Sequence, residues 1–209
     1  LGYKVSLLDD NAYVRAAVFY MDRDDIQISS YHLEERQDGS SEFISYWDNA
    51  AQGYNQGIEV EAAWNISDNL EVYGSLGFLD TEFSDYIYKD GTKETGREQA
   101  HAPNYQFNVG LNYFINEQWQ FNLSVDGKDA FYFSDSHDEK SDSLALLHGS
   151  VSYSAQDWQV KLWARNILDE EYQVRGFYFG NDPRDGYTDK PYYHYGEPAV
   201  FGLTFDYNF

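Results

Sequence analysis

The sequence predicts an all-β protein, and more specifically a transmembrane, antiparallel, up-and-down β-barrel. Three observations predict this class. Apolar and polar residues alternate along most of the chain, and tight turns alternate with longer polar connections. Aromatic residues make up 19% of the chain although hydrophobic residues total only 42%. Such an excess of rings over aliphatic side chains is typical of the interfacial belts of membrane barrels, and also of sugar-binding sheets.

Composition narrows the function classes. The 209 residues carry a formal charge of −22, which disfavours a nucleic-acid partner because the phosphate backbone needs a basic surface. This acidity fits a surface that meets divalent cations, cationic ligands or water. The absence of cysteine excludes a disulfide scaffold and a thiolate metal site. No apolar stretch approaches the roughly 18 residues of a membrane helix.

Alternation defines the predicted strands in order. In 58–66, for example, Ile58, Val60 and Trp64 alternate with Glu59 and Glu61. Successive strand side chains point to opposite faces, so each strand has one apolar and one polar face. By this pattern we predict nine strands, at 2–8, 12–35, 42–66, 70–86, 100–115, 119–134, 142–155, 158–178 and 193–209. Alternation alone also permits a soluble sandwich.

The connections favour a membrane barrel over a sandwich. Tight turns occur at 9–11, 67–69, 116–118 and 156–157, and longer polar connections at 36–41, 87–99, 135–141 and 179–192. Short turns at one end and long loops at the other are typical of outer-membrane barrels. Greek-key connections of a sandwich do not keep so regular an order.

Tryptophan positions support the same class. Trp64, Trp119 and Trp158 each lie beside a tight turn and share the parity of the apolar face of their strand. Three tryptophans at one end, facing the same way, predict one half of the aromatic girdle at a membrane interface, here the periplasmic one. The alternative is that they are core aromatics of a sandwich.

The last strand predicts the orientation. Apolar residues alternate up to the final one: Phe201, Leu203, Phe205, Tyr207 and Phe209. This strand resembles the C-terminal signal that the outer-membrane barrel assembly machinery recognises, and an apolar strand edge is suited to pairing with another sheet edge. A last strand that descends to the periplasm makes the long loops extracellular and the tight turns periplasmic. We therefore expect an outer-membrane location in a Gram-negative bacterium, with lipid around the barrel.

Four segments resemble one family, the TonB-dependent outer-membrane receptors. The stretch 49–62, NAAQGYNQGIEVEA, resembles a strand in which Asn and Gly precede a G-[IV]-E-x-E run. Residues 102–114 are similar to a P-x-x-x-x-N-x-x-x-x-Y strand, and 166–172 to the N-[LI]-[FL]-D-x-x-Y segment of the penultimate strand. The sequence Gly-Glu-Pro at 196–198 matches the start of the family's last strand, although Ala199 replaces the usual Arg.

The resemblance implies active transport by a barrel of about 22 strands with a plugged lumen. In such receptors a ligand binds the extracellular loops and the plug, and the inner-membrane TonB complex pulls on the plug through the TonB box. The family's plug and TonB box lie at its N-terminus. We therefore expect residues 1–209 to be the C-terminal portion of the barrel domain, with the plug and the earlier strands absent from this chain.

The family's ligands include ferric siderophores, haem, cobalamin and oligosaccharides. We predict ligand contacts among loop aromatics and polar residues at the extracellular end: Tyr86, Tyr88, Arg97, Tyr132, His137, Phe177, Tyr178, Arg184, Tyr192, Tyr193 and His194. Rings stack on catecholates or on sugar faces, and Arg97 or Arg184 suits an anionic siderophore. The alternative for each Tyr is the extracellular aromatic girdle.

No catalytic residue, metal site or cofactor is predicted. The acidic run 134–139 offers carboxylates for calcium but lacks the D-x-[DN]-x-[DN]-G pattern, so a solvated loop is the better interpretation. Asp80, Glu82 and Asp85 are expected to line a wet lumen or rim. His148 near Ser150 is the only hint of a hydrolase and is a weak one.

The function predicted first is energy-dependent uptake of a ferric siderophore or another iron chelate, by analogy with the family. An oligosaccharide importer is the second possibility, a passive porin-like barrel the third, and a soluble carbohydrate-binding sandwich the last.

Overall fold

The computed structural model describes residues 1–87, 93–135 and 137–209, apart from the side chains of residues 28–31, 33, 41, 48–51, 87, 93 and 94. The described chain contains one 3-10 turn, Pro183–Asp185, and otherwise strands. These are β1 Gly2–Leu7, β2 Ala12–Glu35, β3 Ser41–Ser67, β4 Leu70–Ile87, β5 Lys93–Glu94, β6 Tyr105–Phe114, β7 Trp119–Lys128, β8 Leu144–Ser154, β9 Trp158–Arg165, β10 Gln173–Phe179, β11 Lys190–Tyr195 and β12 Val200–Tyr207. None of the described residues form a helix long and apolar enough to cross a membrane.

One large antiparallel sheet contains all strands except the hairpin β10–β11. Its order is β1-β2-β3-β4-β6-β7-β8-β9-β12, with β5 paired beside the end of β4. Strands that follow one another in sequence therefore lie side by side, which confirms the predicted up-and-down arrangement. Within the described residues β1 pairs only with β2, and β12 only with β9, so the sheet is open at both edges.

The register separates an apolar from a polar face, as the alternation predicts. Phe201 lies opposite Ala164 and Leu203 opposite Leu162, and cross-strand partners share a face. Phe201 and Leu203 are 70% and 64% exposed, so this convex face lacks a protein partner among the described residues. The polar face is concave and lines an open cavity of about 1070 Å³.

Two strands are much longer than a membrane requires. β2 has 24 residues and β3 has 27, whereas about 9–11 tilted residues span the hydrocarbon. Because the short turns lie together at the other end of the sheet, the excess length of both strands extends beyond the end where the long connections lie. β2 and β3 therefore form a tall hairpin that projects beyond this end.

The two last predicted strands are wrong in their extent. The segment predicted as 158–178 ends at Arg165, and the one predicted as 193–209 is divided into β11 and β12. Asn166 and Asp169 have positive φ values of 47° and 55°, which interrupt the strand. The Asn166 side chain, 2% exposed, then donates hydrogen bonds to the carbonyl oxygens of Glu170 and Glu197. The chain thus leaves the sheet after β9 and forms a separate hairpin before it returns as β12.

The predicted strands 100–115, 119–134 and 142–155 are also too long. The observed strands β6, β7 and β8 leave 129–143 as a connection. Phe131 and Phe133, which continue the alternation of β7, are each 4% exposed and pack within the connections instead. The apolar alternation of the sequence therefore continues beyond the end of β7, because the rings of Phe131 and Phe133 fill a second, smaller core outside the sheet.

Candidate functional site

The long connections meet at one end of the sheet, which we call the mouth. It comprises the β2–β3 tip at 36–40 and the connections 93–104, 129–143 and 166–199. The last of these contains the hairpin β10–β11. Since the predicted ligand contacts were assigned to these connections, the mouth is the candidate site.

A buried aromatic core supports the mouth. Phe83 and Tyr86 at the end of β4 are 3% and 2% exposed, and their ring centroids lie 5.3 Å apart. Phe131 and Phe133 form an edge-to-face pair with ring centroids 5.5 Å apart. Such pairs stabilise beyond their buried area. Tyr86, predicted as a ligand contact, is therefore part of this core and presents little surface to a ligand.

Arg97 holds two connections together. Its guanidinium donates to Asp138 Oδ1 at 2.5 Å and to the carbonyl oxygens of Ser134 at 3.1 Å and His137 at 2.5 Å. It also lies over the Tyr132 ring at 4.3 Å, and the residue is only 9% exposed. The prediction that Arg97 meets an anionic ligand has no support in this geometry, because its donors serve the protein.

The hairpin β10–β11 packs on the connection 129–143. Tyr193 donates from its hydroxyl to Glu139 Oε2 at 2.8 Å, and its ring lies 5.9 Å from that of Phe133. Gly176 permits this contact, since a Cβ there would lie 2.3 Å from the Phe133 ring. Tyr193 is thereby positioned by protein partners.

The same hairpin reaches the tall strands. Phe179 of β10 makes an edge contact with Phe43 of β3 at 5.0 Å, and its ring lies 4.9 Å from that of Tyr192. The hairpin therefore connects two regions of the curved sheet that are five strands apart in the sheet order. It crosses the mouth above the concave face.

The hairpin keeps several predicted contacts accessible. Phe177 is 43% exposed and Tyr178 is 38% exposed, and His194 and Arg184 are also on the surface. Tyr192 is half-buried. Tyr132 is half-buried too, with Lys140 Nζ 4.0 Å from its ring. Tyr88 lies outside the described residues.

Two titratable groups at the mouth have shifted pKa values. Burial lowers the pKa of His137, and the positive charge of the nearby Arg97 lowers it further. The carboxylates of Glu139 and Asp138 raise this pKa but do not offset the lowering. Hydrogen bonds from the Arg184 side chain and backbone lower the pKa of Asp182 to about 2. Near neutral pH His137 is therefore uncharged, and Arg184 is paired with an ionised carboxylate at 2.8 Å.

The carboxylates considered for calcium have protein partners. Asp135 accepts from the Ala100 amide at 2.9 Å, Asp138 pairs with Arg97, and Glu139 accepts from Tyr193. Among the described residues no group of three or more His, Cys, Asp or Glu is arranged to hold a metal ion. The acidic run thus organises the mouth.

The other acidic prediction needs a partial correction. Asp80 lies opposite Gln56 and Glu82 opposite Tyr54, on the same face as Phe78 and therefore on the convex side. Asp80 accepts from the Gln56 amide at 2.8 Å, and Tyr54 donates to both carboxylates at 3.3 Å. These two residues belong to the outer rim and do not line the lumen.

A neutral concave wall lies below the mouth and was not recognised in the sequence. Register places ten charged residues on it: Lys4, Arg15, Glu59, Glu61, Glu71, Asp126, Lys128, Lys161, Arg165 and Asp206. Arg15 pairs with Glu61 at 3.4 Å, and Asn112 donates to Glu71 at 2.8 Å. The signal was the parity of these charges, opposite to that of the apolar residues.

His148 belongs to this wall. Its Nε2 lies 3.0 Å from Asp126 Oδ2, and its Nδ1 accepts from the Asn166 amide at 3.3 Å. Both ring nitrogens therefore face partners other than Ser150. The weak hint of a hydrolase gains no support.

An aromatic row lies on the convex face at the short-turn end. Ring centroids of Trp119 and Tyr153 are 4.9 Å apart, those of Tyr153 and Trp158 5.4 Å, and those of Trp158 and Phe205 6.2 Å. Trp64, Trp119 and Trp158 are all exposed. This placement disagrees with buried core positions, and the periplasmic girdle stays a prediction.

The comparisons with known proteins identify the family. A family model described as TonB dependent receptor-like, beta-barrel matches residues 1–167, which is most of the chain. The chain belongs to this family. Its members are transport receptors and not enzymes, and the predicted resemblance is confirmed.

Solved structures of the family share the fold. The siderophore receptor PiuA from Acinetobacter baumannii is 14% identical with a TM-score of 0.71, covering 98% of this chain and 27% of that one. The ferric yersiniabactin uptake receptor FyuA from Yersinia pestis is 17% identical with a TM-score of 0.73, and the match covers 98% of this chain and 29% of that one. The copper transporter OprC is 16% identical with a TM-score of 0.73, and the match covers 100% of this chain and 30% of that one. The chain thus spans less than a third of each of these proteins.

Proposed function

We propose that the chain is the C-terminal portion of the barrel domain of an outer-membrane receptor that imports a scarce nutrient. One observation carries this proposal: the open up-and-down sheet has a polar concave wall, an apolar convex face and a mouth of packed connections. This arrangement suits a barrel with lipid outside and a ligand path inside. The match to about 30% of longer receptors supports earlier strands and a plug outside residues 1–209.

The same proposal assigns partners and orientation. The convex face contacts lipid, and the alternating strand that ends at Phe209 meets the barrel assembly machinery. The long connections face the exterior and the short turns the periplasm. Energy coupling to TonB belongs to the region outside this chain. The exposed edges of β1 and β12 support pairing with further strands, because an unpaired edge presents free backbone donors and acceptors.

An iron chelate is the ligand that we propose first. Two of the solved relatives are named as a siderophore receptor and a ferric yersiniabactin uptake receptor. A third is a copper transporter, so the fold alone leaves the chelated metal open. Phe177 and the half-buried Tyr192 share one face of the hairpin, and the exposed Tyr178 lies on the other. Their rings support a planar chelate, which stacks on aromatic faces.

An oligosaccharide is the second candidate. The exposed rings of Phe177 and Tyr178 favour it as well, since aromatic side chains stack on the C–H faces of sugars. A passive porin-like barrel is less favoured, because the chain belongs to a family of transport receptors.

Calorimetry on the intact receptor in detergent tests the proposal. We expect saturable binding to a member of a ferric chelate panel, weakened at least about tenfold by Phe177→Ala combined with Tyr178→Ala. Phe114→Ala, which removes an exposed ring at the short-turn end, is the matched control and leaves binding unchanged. Binding to glycans alone would replace the iron chelate by the second candidate. Full binding by the double variant would remove the hairpin from the site.

A further inference from the structure

Charge is divided unevenly along the barrel axis. The concave wall carries five acidic and five basic residues, as described above, and has no net formal charge. The short turns carry five acidic residues: Asp9, Asp10, Asp68, Glu117 and Asp157. The described segments toward the mouth are 20–57, 79–87, 93–104, 129–135, 137–143 and 166–199, and they contain 25 acidic residues and only eight basic ones. The excess negative charge is therefore concentrated on the mouth and on the adjoining tall parts of β2, β3 and β4, which we include in the mouth from here on.

The basic residues of the mouth are mostly neutralised within it. Five of them form ion pairs with mouth carboxylates: Arg36 with Glu42, Arg97 with Asp138, Lys140 with Glu98, Arg184 with Asp182 and Lys190 with Asp185. Hydrogen bonds from Asn104 and Lys140 lower the pKa of Glu98, so its charge persists at neutral pH. Asp24, Asp25, Glu35 and Asp189 are exposed and have no ion pair with a described residue.

This surplus is a distributed field and not a chelating site. No group of three or more metal-ligating side chains occurs among the described residues. Summed surface charge acts on a ligand before contact, over about 10 Å at 0.1 M salt. It accelerates the encounter with opposite charge and slows the encounter with like charge by factors of roughly 10 to 1,000.

We propose that the mouth selects its ligand by charge, admitting cationic or uncharged chelates and repelling polyanionic ones. This inference rests on the proposed function, since it names the class of chelate that the receptor takes. It also revises the expectation for Arg97 and Arg184, because both cations are paired with carboxylates of the mouth. The neutral wall has no net charge with which to retain a cation, so the selection is confined to the mouth.

Association kinetics with two ferric chelates of opposite charge test the proposal. One is a tris-hydroxamate complex with an ammonium arm, which is a cation; the other is a tris-catecholate complex, which is an anion. On the intact receptor in detergent, we expect the cation to associate at least about tenfold faster at low salt, with the difference shrinking as salt is added. Faster association of the anion at low salt would overturn the proposal.

Charge-neutralising variants locate the effect. Replacing Asp24, Asp25 and Asp189 by Asn and Glu35 by Gln is expected to slow the cation severalfold and to reduce its salt dependence. The matched control removes four charges from the opposite end, through Asp9→Asn, Asp10→Asn, Asp68→Asn and Glu117→Gln. Equal effects of both sets would show that long-range net charge, and not the mouth, selects the ligand, which contradicts the proposal.

A reporter independent of ligand binding separates this inference from the proposed function. Trp47 of β3 is 74% exposed and lies on the tall part of the strand, opposite Ser29. Its fluorescence is obtained by difference from Trp47→Phe. The ratio of its caesium to its iodide quenching constant is expected to exceed the ratio measured for free N-acetyltryptophanamide. A ratio equal to or below that of the free compound would refute the negative mouth. A higher ratio with no binding of either chelate would support the negative mouth and contradict the proposed iron chelate.

Discussion

At the scale of single residues, Arg97 determines how the connections of the mouth are arranged. It contacts Ser134, His137 and Asp138 from a connection that precedes them by more than 35 positions in sequence. Replacement by Gln leaves two part-buried carbonyl oxygens without this donor, which costs about 1–3 kcal/mol of local stability. Hydrogen exchange of the 129–143 amides is therefore expected to accelerate by a factor of roughly ten or more.

Arg184→Gln is the control for this prediction. Arg184 also pairs with a carboxylate, but its side chain is 88% exposed, and exposed ion pairs contribute little. Exchange in 129–143 should remain as in the unmodified protein. An Arg97→Gln protein with unchanged exchange in 129–143 would show that the Arg97 hydrogen bonds are not needed to hold this connection.

Gly202 illustrates a packing constraint between the neighbouring strands β9 and β12. A Cβ at Gly202 would lie 2.1 Å from the Trp163 ring on the neighbouring strand β9. Gly202→Ala must therefore displace the ring, and overpacking of this kind costs about 1–3 kcal/mol. We expect a lower unfolding midpoint in denaturant.

Gly77→Ala is the matched change on the same face of β4. The nearest atom to its new Cβ would be Gln106 Cγ at 3.7 Å, an ordinary contact, so the midpoint should stay unchanged. Equal stability of both alanine variants would contradict the packing argument for Gly202.

At the scale of elements, the connection 129–143 is predicted to respond to acid through His137. Burial lowers the pKa of this imidazole in the folded protein below the 6.5 of an unfolded chain. Below about pH 6.5 the folded state therefore binds fewer protons than the unfolded state. The free energy of unfolding is highest above this pH and declines as the pH falls below it. The facing groups are Glu139, Asp138, Arg97 and the Tyr178 ring, 6.3 Å away.

Exchange of the 129–143 amides at about pH 7.5 and about pH 5.5, corrected for the intrinsic pH effect, measures this response. Faster corrected exchange at the lower pH is expected, with a smaller difference in His137→Gln. A His137→Gln protein with the full acid response would assign it to another group.

Strands and turns were predictable because alternation and turn chemistry are local signals. β2, β3 and β4 match the predicted limits within one residue, and the short turns lie where the sequence places them. The hairpin β10–β11 was missed because its strands continue the alternation of β9 and β12. The bend after β9 depends on the positive φ of Asn166 and Asp169, and Asn166 stabilises it partly through a hydrogen bond to Glu197, which is 31 positions away in sequence.

The candidate site was less predictable than the fold for the same reason. Tyr86 and Arg97 are polar residues near loops, a pattern that equally suits an accessible contact and a buried support. Their burial depends on which connections meet, and this follows from the order of strands and not from local sequence. Charge parity, in contrast, was visible in the sequence and would have identified the neutral wall.

At the scale of the whole molecule, the central claim is that the sheet crosses the outer membrane with the mouth outside. The convex face exposes rings and aliphatic side chains, the concave wall is neutral and polar, and the two ends differ in connection length. This combination is typical of an outer-membrane barrel, in which the long connections face the exterior and the short turns face the periplasm.

Cysteine accessibility in intact cells tests this claim most directly, because the chain contains no cysteine of its own. A membrane-impermeant maleimide is expected to label Gln37→Cys and Asn181→Cys at the mouth. Asp68→Cys and Glu117→Cys at the short turns should react only after the outer membrane is permeabilised, and Leu203→Cys on the convex face in neither case. Labelling of Asp68→Cys and Glu117→Cys in intact cells, with Gln37→Cys and Asn181→Cys protected, would contradict the account.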